Sequence, residues 1–309
     1  TVSVLYCTSL NMAFSLKAEV LDDALQLALR SAQAAAAIMN ECYERRMNHD
    51  STFDLGMDTK STDADLVTQY DKKCEEVVIE MLQEFAVDVD GTGKKPFRFL
   101  TEESRPDEPL LDWPTWIVDP IDGTTGFVHN SFDCGVSVGL AVNKQPVLGV
   151  VILPRLQETF TAVEGRGAFL NGKRLRASGC TLPNKAVYCT HCPYNRAPAA
   201  MDALLGMNRE LMVDHRVHAL RSYGSAAMDA CSVAMGRLDC YFEVGIQAWD
   251  MCAAVIILRE AGAVVMDVNG GPLDLTRRGM ISAATPQLAE VALALCDKYK
   301  YREAMLGSA

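Results

Sequence analysis

The segment WIVDPIDGTT combines two carboxylates, three positions apart at the end of an apolar run, with a glycine and two threonines. Asp119 and Asp122 can bind cations, while Gly123, Thr124 and Thr125 offer backbone N–H groups and hydroxyls to an anion. Proteins usually bind Mg²⁺ through a few carboxylates together with the phosphate oxygens of a substrate. The segment therefore predicts phosphate-ester chemistry, the simpler alternative being a capped strand end with a glycine turn.

Four further carboxylates lie at the edges of apolar elements. Glu102 and Glu103 follow the short apolar segment FRFL, and Asp250 opens a strongly apolar helix. Thr68 precedes Asp71 by three positions, a variant of the capping box that puts Asp71 in a first helical turn. An acid at a helix start is often only a favourable partner of the helix dipole. Six acids at such edges favour a functional site, because ligands in open sheets bind at strand ends.

Hydrophobic periodicity predicts a layered α/β fold around these acids. A long amphipathic helix is expected over 18–47, a polar loop over 49–62, and a second helix that turns Val77 and Phe85 inward. The runs CGVSVGLAV, PVLGVVIL and TFTAVEGRGAFLNG predict successive antiparallel strands. Beyond about residue 186 strands and helices alternate. The strand candidates are AVYCT, VHAL, LDCYFEV and AVVMDV, and the helices begin near Ala199, Ser225, Trp249 and Pro286.

Composition excludes several classes of protein. A chain of 309 residues with 49% hydrophobic content can bury a large core. Its formal charge of −11 disfavours nucleic acid and anionic membranes as partners. No run reaches the roughly 18 apolar residues of a membrane span. Residues 1–17 have no basic segment before their apolar stretch, so they predict a tail rather than a signal peptide, and a cytoplasmic location.

Cysteine usage points to a reducing compartment. Eleven cysteines, an odd number, are scattered from Cys7 to Cys296 without the dense spacing of a secreted disulfide scaffold. Cys189 and Cys192 form a CxxC pair around His191, but no second pair accompanies them. Zinc is therefore not expected, because a structural site needs four ligands.

Three blocks, in the expected order, resemble the inositol monophosphatase family of Mg²⁺-dependent, lithium-sensitive phosphatases. They are DLVTQYD with LTEES, WIVDPIDGTTGFVH, and WDMCAAVIILREAGAVVMDVNGGPLDL. The resemblance covers roughly residues 20–300 and extends to GVVILPRLQETFTAVEGRGAFLNG and RSYGSAAMDACSVAMGRLDCYFEVG. It implies a homodimer and a five-layered αβαβα sandwich of the sugar-phosphatase type. One domain over 18–309 would comprise an N-terminal α+β half (18–185) and a C-terminal α/β half (186–309).

The resemblance also implies a metal site with two to three Mg²⁺ ions. Glu102, Asp119 and the backbone carbonyl of Ile121 would bind the first ion. Asp119, Asp122 and Asp250 would bind the second, so that Asp119 bridges the two. A third, looser ion would lie near Glu102. Such ions activate water and stabilise the attacking and leaving oxygens of an in-line displacement.

The implied reaction is hydrolysis of inositol monophosphate to inositol and phosphate by direct attack of a metal-activated water. Asp71 and Thr124 would form a hydrogen-bonded pair that orients this water together with Glu102. Glu103 would support the metal shell, and Lys60 corresponds to a lysine of a mobile loop near the metals.

The implied substrate contacts combine the metal motif with a more distant sugar pocket. Glu243 matches a position that hydrogen-bonds inositol hydroxyls. Gly126 replaces a common asparagine and Gln247 a frequent histidine, which leaves the preferred inositol isomer open. The substrate-binding set is Asp122, Gly123, Thr124, Gly224, Ser225, Ala226, Glu243 and Asp250.

Other functions remain open at this stage. A haloacid-dehalogenase-like phosphatase also has an aspartate, glycine and threonine together, but its acids are spaced differently and it would form an aspartyl-phosphate. Fructose 1,6-bisphosphatase and 3′-phosphoadenosine phosphatase activities would share the metal core, and a non-catalytic metal-binding dimeric partner would keep the fold. A second phosphate would need basic residues, and the candidates are Arg174, Arg176, Arg216 and Arg221.

Overall fold

The computed structural model describes residues 14–60 and 62–307, so most of the tail predicted over 1–17 lies outside the described residues. The helices are α1 (Ala18–Met47), α2 (Gln69–Leu82), α3 (Thr124–Val128), α4 (Pro198–Val213), α5 (Ala226–Ala234), α6 (Ala248–Glu260), α7 (Pro286–Lys298) and α8 (Tyr301–Leu306). The strands are β1 (Asp58–Thr59), β2 (Leu66–Val67), β3 (Ala86–Val87), β4 (Lys95–Pro96), β5 (Arg98–Thr101), β6 (Thr115–Asp122), β7 (Gly135–Val142), β8 (Gln145–Leu153), β9 (Glu158–Val163), β10 (Gly167–Leu170), β11 (Lys173–Arg174), β12 (Val187–Thr190), β13 (Ala219–Arg221), β14 (Cys240–Val244), β15 (Val264–Met266) and β16 (Gly279–Ala283).

Seven strands form the larger sheet, in the order β11-β10-β9-β8-β7-β6-β5. Neighbours from β6 to β11 are antiparallel, which confirms the predicted antiparallel strands after WIVDPIDGTT. The exception is β5, which runs parallel to β6. Because parallel strands end at the same edge of a sheet, the segments that follow β5 and β6 emerge side by side.

The second sheet has five strands in the order β13-β12-β14-β16-β15. Strand β12 is parallel to β13 and β14, whereas β16 is antiparallel to β14 and β15. The predicted strands AVYCT, LDCYFEV and AVVMDV are confirmed, while VHAL supplies only its last two residues to β13. Strand β16 is absent from the sequence-based prediction, because its sequence GMISA has mostly small residues with weak strand preference.

The layers follow the predicted αβαβα order. Helices α1 and α2 cover one face of the seven-stranded sheet, and α5 and α6 lie between the two sheets. Helices α4, α7 and α8 cover the far side of the five-stranded sheet. Every residue from Met251 to Leu258 in α6 is buried. A helix is apolar on all sides when both of its faces meet other elements, as α6 does between two sheets.

Helix α1 spans the range predicted for it and packs through small residues. Ala24, Ala28 and Ala32 are fully buried against α2 and the sheet, and alanine lets the backbones approach closely. The loop predicted over 49–62 needs a correction, because β1 forms within it and pairs with β2. None of the described helices is long and apolar enough to cross a lipid bilayer.

Candidate active site

Strand β6 brings both of its aspartates to the same point through an irregularity in its pairing with β7. Asp119 pairs with Ser137 and Asp122 with Gly135, so three steps along β6 match two along β7. Side chains of a regular strand alternate between faces, which would send residues three apart to opposite sides. The extra residue of this β-bulge lets the two carboxylates converge, and bulges recur beside active sites.

Asp250 reaches the same point from the first turn of α6. The backbone N–H of Gln247 donates to Asp250 Oδ2 over 2.5 Å, which fixes the carboxylate at the helix start. One oxygen each of Asp119, Asp122 and Asp250 lies within 4.8 Å of the others. Among the described residues no second trio of metal-ligating side chains is this close.

Glu102 follows β5 and lies at the same edge of the sheet, because β5 and β6 are parallel. Unlike the carboxylates of the aspartate trio, its carboxylate forms an ion pair with a lysine. Lys60 Nζ donates to Glu102 Oε1 over 2.7 Å and to Glu103 Oε1 over 2.6 Å. Glu75 accepts the backbone N–H of Glu103 at 2.8 Å, which fixes the turn after the strand.

Burial and mutual repulsion shift the titration of these acids. Burial raises the pKa values of Asp119 and Asp250 well above their usual range, and the neighbouring carboxylates raise them further. Burial raises the pKa of Asp122 to about 6, against the lowering effect of the hydrogen bonds that it accepts. Burial also raises the pKa of Glu102 to about 7, although Lys60 acts in the opposite direction. The surrounding protein therefore supplies too little positive charge to keep all of these acids ionised.

The predicted pair of Thr124 and Asp71 is present next to this cluster. Thr124, the first residue of α3, has its Oγ1 3.2 Å from Asp71 Oδ1 and 3.2 Å from the carbonyl oxygen of Ile121. The other oxygen of Asp71 accepts the N–H and the hydroxyl of Thr68 at 2.7 and 2.6 Å. The predicted capping box is thus confirmed, and it holds the Asp71 carboxylate rigidly.

Asp122 is held by the beginning of α5. Ser225 Oγ donates to Asp122 Oδ2 over 2.5 Å, and the backbone N–H of Ala227 donates to the same oxygen over 2.7 Å. Ser225 also accepts the N–H of Met228, so its hydroxyl is fully used within the protein. Its side chain is buried and does not line the cavity described below. Ser225 therefore departs from the expected substrate contact and acts on Asp122 instead.

Two glycines allow the chain to turn tightly after β6. Gly123 has a φ of +86°, and a Cβ there would lie 2.5 Å from the carbonyl oxygen of Asp133. A Cβ on Gly126 would lie 2.8 Å from the same oxygen. This contact explains why glycine stands at position 126 where the family commonly has asparagine. The side chain of an asparagine would collide with the backbone carbonyl of Asp133, whereas glycine has no side chain to do so.

A second group of polar side chains surrounds Glu243, which lines the same cavity. The Tyr241 hydroxyl donates a hydrogen bond to Glu243 Oε2 over 2.5 Å, and His191 Nδ1 lies 3.3 Å from the same oxygen. The side chains of His191 and Glu243 are only 14% and 9% exposed, so water screens this contact poorly. This group is balanced internally, unlike the aspartate cluster.

The aspartate cluster and Glu243 line one cavity of about 490 Å³. Of the residues that the family resemblance implies, all line it except Asp71, Glu103 and Ser225. The four arginines proposed for a second phosphate are exposed and do not line it. The cavity also contains residues that sequence reasoning did not assign to the site, namely His191, Tyr194, Asn195 and Arg278. In the sequence, the signal that could have assigned His191 to the site was its position directly after a strand.

Ten cysteines of the described chain are free thiols. Cys189 is buried and Cys192 is exposed, so the two thiols of the CxxC pair lie in different surroundings.

Comparison with known proteins gives the same assignment along nearly the whole chain. The inositol monophosphatase family matches residues 20–301. Human inositol monophosphatase 2 is 37% identical over 274 residues, which cover 88% of this chain and 88% of that protein. Inositol monophosphatase 2 of Solanum lycopersicum is 43% identical over 217 residues, which cover 69% of this chain and 79% of that protein.

Solved structures agree in fold. The extragenic suppressor protein suhB from Bartonella henselae superposes with a TM-score of 0.75 at 30% identity, covering 89% of this chain and 99% of that one. The IMPase of Thermotoga maritima gives a TM-score of 0.74 at 26% identity, covering 90% and 98%. The chain belongs to the inositol monophosphatase family.

Proposed function

We propose that this protein hydrolyses inositol monophosphate to inositol and phosphate with Mg²⁺ as its cofactor. The observation that carries the proposal is the trio Asp119, Asp122 and Asp250, whose oxygens lie within 4.8 Å of one another in the lining of a cavity that Glu243 also lines. Two human relatives named inositol monophosphatase match 87 to 88% of the chain, which makes the same phosphomonoester reaction the simplest assignment.

The donor atoms fit a hard divalent cation. Carboxylate and carbonyl oxygens are the ligands that Mg²⁺ prefers, whereas thiolates and imidazoles would favour zinc. Because the acids have raised pKa values, they take up protons that a dication can replace. We assign Glu102, Asp119 and the Ile121 carbonyl to one ion, and Asp119, Asp122 and Asp250 to a second. A third ion would lie near Glu102.

The chain's own groups would bind the phosphate and orient the attacking water. When bound, Mg²⁺ supplies positive charge to the phosphate oxygens and lowers the pKa of water. The Thr124 hydroxyl, 3.2 Å from Asp71, can accept a hydrogen bond from water while donating its own proton to that carboxylate. Gly123 and Thr124 line the cavity and would offer backbone N–H groups to phosphate. Glu103 and Lys60 would act through Glu102.

The part of the cavity around Glu243 would bind the polyol. Glu243 has one oxygen engaged by Tyr241, which leaves Oε1 to accept a substrate hydroxyl. Gly224 and Ala226 form part of the same wall and are small enough to admit a ring. Neutral hydroxyls suit this part of the cavity, because the Glu243 carboxylate offers an acceptor oxygen while His191 beside it offsets its charge.

Bisphosphate substrates fit the cavity less well than a monophosphate. A second phosphate attracts arginines that bind it through paired N–H groups. Arg278 lines the cavity, but its Nη2 donates to the carbonyl of Gly245 over 3.0 Å. A non-catalytic role would not require Thr124 to be hydrogen-bonded to Asp71 beside the acids.

We also propose the finer properties that the family resemblance implies. These are lithium sensitivity, a homodimer, a cytoplasmic location, and one folded domain over 18–309. The net charge of −11 supports the absence of nucleic-acid and membrane partners.

A phosphate-release panel tests the function. Inositol 1-phosphate, fructose 1,6-bisphosphate and 3′-phosphoadenosine 5′-phosphate would be compared with and without Mg²⁺ and lithium. We expect Mg²⁺-dependent turnover of inositol 1-phosphate that greatly exceeds that of the other two. Comparable rates on all three substrates would contradict the assignment, and trapping of a phosphorylated aspartate would replace direct attack by water with a covalent mechanism.

A further inference from the structure

His191 and Glu243 face the cavity together because of strand register. In the parallel pair β12 and β14, Cys189 lies opposite Tyr241 and Thr190 opposite Phe242. Continuing this register places His191 opposite Glu243, and partners in register point to the same face of a sheet. Both residues line the cavity, and His191 Nδ1 lies 3.3 Å from Glu243 Oε2.

The two oxygens of Glu243 have different surroundings. Oε2 accepts the Tyr241 hydroxyl at 2.5 Å and is also the oxygen nearest His191. Oε1 takes part in neither contact, so it remains available as an acceptor. Two neighbours on one oxygen fix the rotation of the carboxylate, and a fixed carboxylate loses less entropy when it binds a ligand.

The surroundings of His191 favour its charged form. Burial alone lowers the pKa of His191, but the Glu243 carboxylate, with Asp229 and Asp122 at longer range, raises it to about 9. Asp229 is fully buried in α5, and this burial raises the pKa of its carboxyl group well above the usual range. A nearby imidazolium offsets part of the cost of these buried acids.

We propose that His191 is a specificity-determining residue that, together with Glu243, recognises hydroxyl groups of the polyol. An imidazolium offers only donors and a carboxylate only acceptors. A substrate hydroxyl can both donate and accept, so neighbouring hydroxyls on a ring match the pair. This inference rests on the proposed polyol-phosphate function.

Steady-state kinetics with two substrates tests the proposal. Inositol 1-phosphate carries the polyol, whereas 4-nitrophenyl phosphate carries the same phosphate without hydroxyls. For His191→Ala we expect the KM for inositol 1-phosphate to rise about tenfold, the loss for one charged hydrogen bond, with kcat little changed. The kinetic constants for 4-nitrophenyl phosphate should stay within about twofold of the wild type. Free inositol should also inhibit 4-nitrophenyl phosphate hydrolysis about tenfold more weakly.

Two further variants separate recognition from folding. His191→Gln keeps an N–H donor without the charge, so its KM for inositol 1-phosphate should lie between those of the wild type and His191→Ala. This variant decides the question if His191→Ala does not fold. His218→Ala removes an exposed histidine at the edge of β13 and should change neither substrate's constants.

The outcomes distinguish the two proposals. If the wild type hydrolyses both substrates and the His191 variants affect both equally, or affect neither, the role of His191 is overturned while the proposed function stands. If the wild type hydrolyses 4-nitrophenyl phosphate but not inositol 1-phosphate, the polyol substrate itself is wrong and the role of His191 falls with it. A rise in KM confined to inositol 1-phosphate supports both.

Discussion

Two polar parts of the cavity lining, the metal end around Asp119 and the polyol end around Glu243, differ in how their charge is balanced. At the proposed metal end, the carboxylates of Asp119, Asp122 and Asp250 converge. The cation beside them, Lys60, forms its ion pair with Glu102. At the proposed polyol end, Glu243 is in contact with Tyr241 and His191. We therefore expect the metal end to take a cation from solution, whereas the carboxylate of the polyol end already has His191 beside it.

The difference shows how one cavity can bind two unlike parts of a substrate. Buried carboxylates without a cationic partner are costly, and a divalent ion that neutralises them also attracts phosphate. An internally paired carboxylate has little affinity for a second cation, but it keeps acceptor capacity for neutral hydroxyls. The charge balance of each end therefore predicts which part of the substrate it binds.

The largest expected effect comes from removing the carboxylate shared by both proposed ions. In Asp119→Asn we expect phosphate release from inositol 1-phosphate and 4-nitrophenyl phosphate to fall well over about 100-fold, since losing a group that only orients a metal ligand already costs about 10- to 100-fold. Circular dichroism should show an unchanged fold. Asp107→Asn, at an exposed aspartate, is the matched control. Substantial Mg²⁺-dependent turnover by the Asp119 variant would contradict the assignment of the metal to the end that contains Asp119.

A somewhat smaller effect is expected from the hydroxyl beside the metal end. Thr124→Val keeps the shape of the side chain but loses the contact with Asp71, and kcat should fall about 100-fold, near the low end of general-base assistance. KM should change little. Thr125→Val alters the exposed neighbour and should retain wild-type kcat. Equal losses in both variants would mean that local packing, and not the hydroxyl, is responsible.

Stability should depend on pH at the metal end when no divalent cation is present. The folded-state pKa values of Glu102 and Asp122 are raised to about 7 and about 6, so the folded protein binds protons that the unfolded chain releases near pH 4. The stabilisation from these protons is fully present below about pH 4 and is lost as the pH rises to 7. For each group, every pH unit between its unfolded and folded pKa values corresponds to about 1.4 kcal/mol of unfolding free energy.

Chemical denaturation in EDTA between pH 4.5 and 7.5 measures this loss. Mg²⁺ at 100 times its dissociation constant should restore about 2.7 kcal/mol at pH 7. Asp250→Asn should reduce both the pH dependence and the Mg²⁺ effect, because it removes one of the clustered charges. Identical Mg²⁺ stabilisation of this variant and the wild type would place the ion elsewhere.

The smallest expected effect concerns Gly126, which lies beside the metal end without belonging to it. Gly126→Asn would push a side chain against the Asp133 carbonyl and should lower the free energy of unfolding by about 1–2 kcal/mol. Urea denaturation measures this change, and the Mg²⁺ stabilisation should be unaffected. If stability is unchanged while Mg²⁺ binding weakens, the departure at Gly126 concerns metal chemistry and not packing.

Much of this protein follows from local sequence pattern. The long helix α1, the antiparallel strands of the larger sheet and the capping box at Thr68 are short-range features of spacing and residue type. The acids of WIVDPIDGTT and the Asp250 helix stand out for the same reason, because polar residues at the ends of apolar elements break a local pattern.

Tertiary structure decided how these residues meet. Residues three apart on a strand would diverge, and only the bulge against β7 brings Asp119 and Asp122 together. Ser225 holds Asp122 from behind the cavity wall, and His191 meets Glu243 through the register of β12 and β14. Such contacts join residues from 52 to 103 positions apart, and no local pattern in a single sequence encodes the register that creates them. The sequence alone thus determined which chemistry the chain carries, while the packing of two sheets around α6 determined where each charge is left open or balanced.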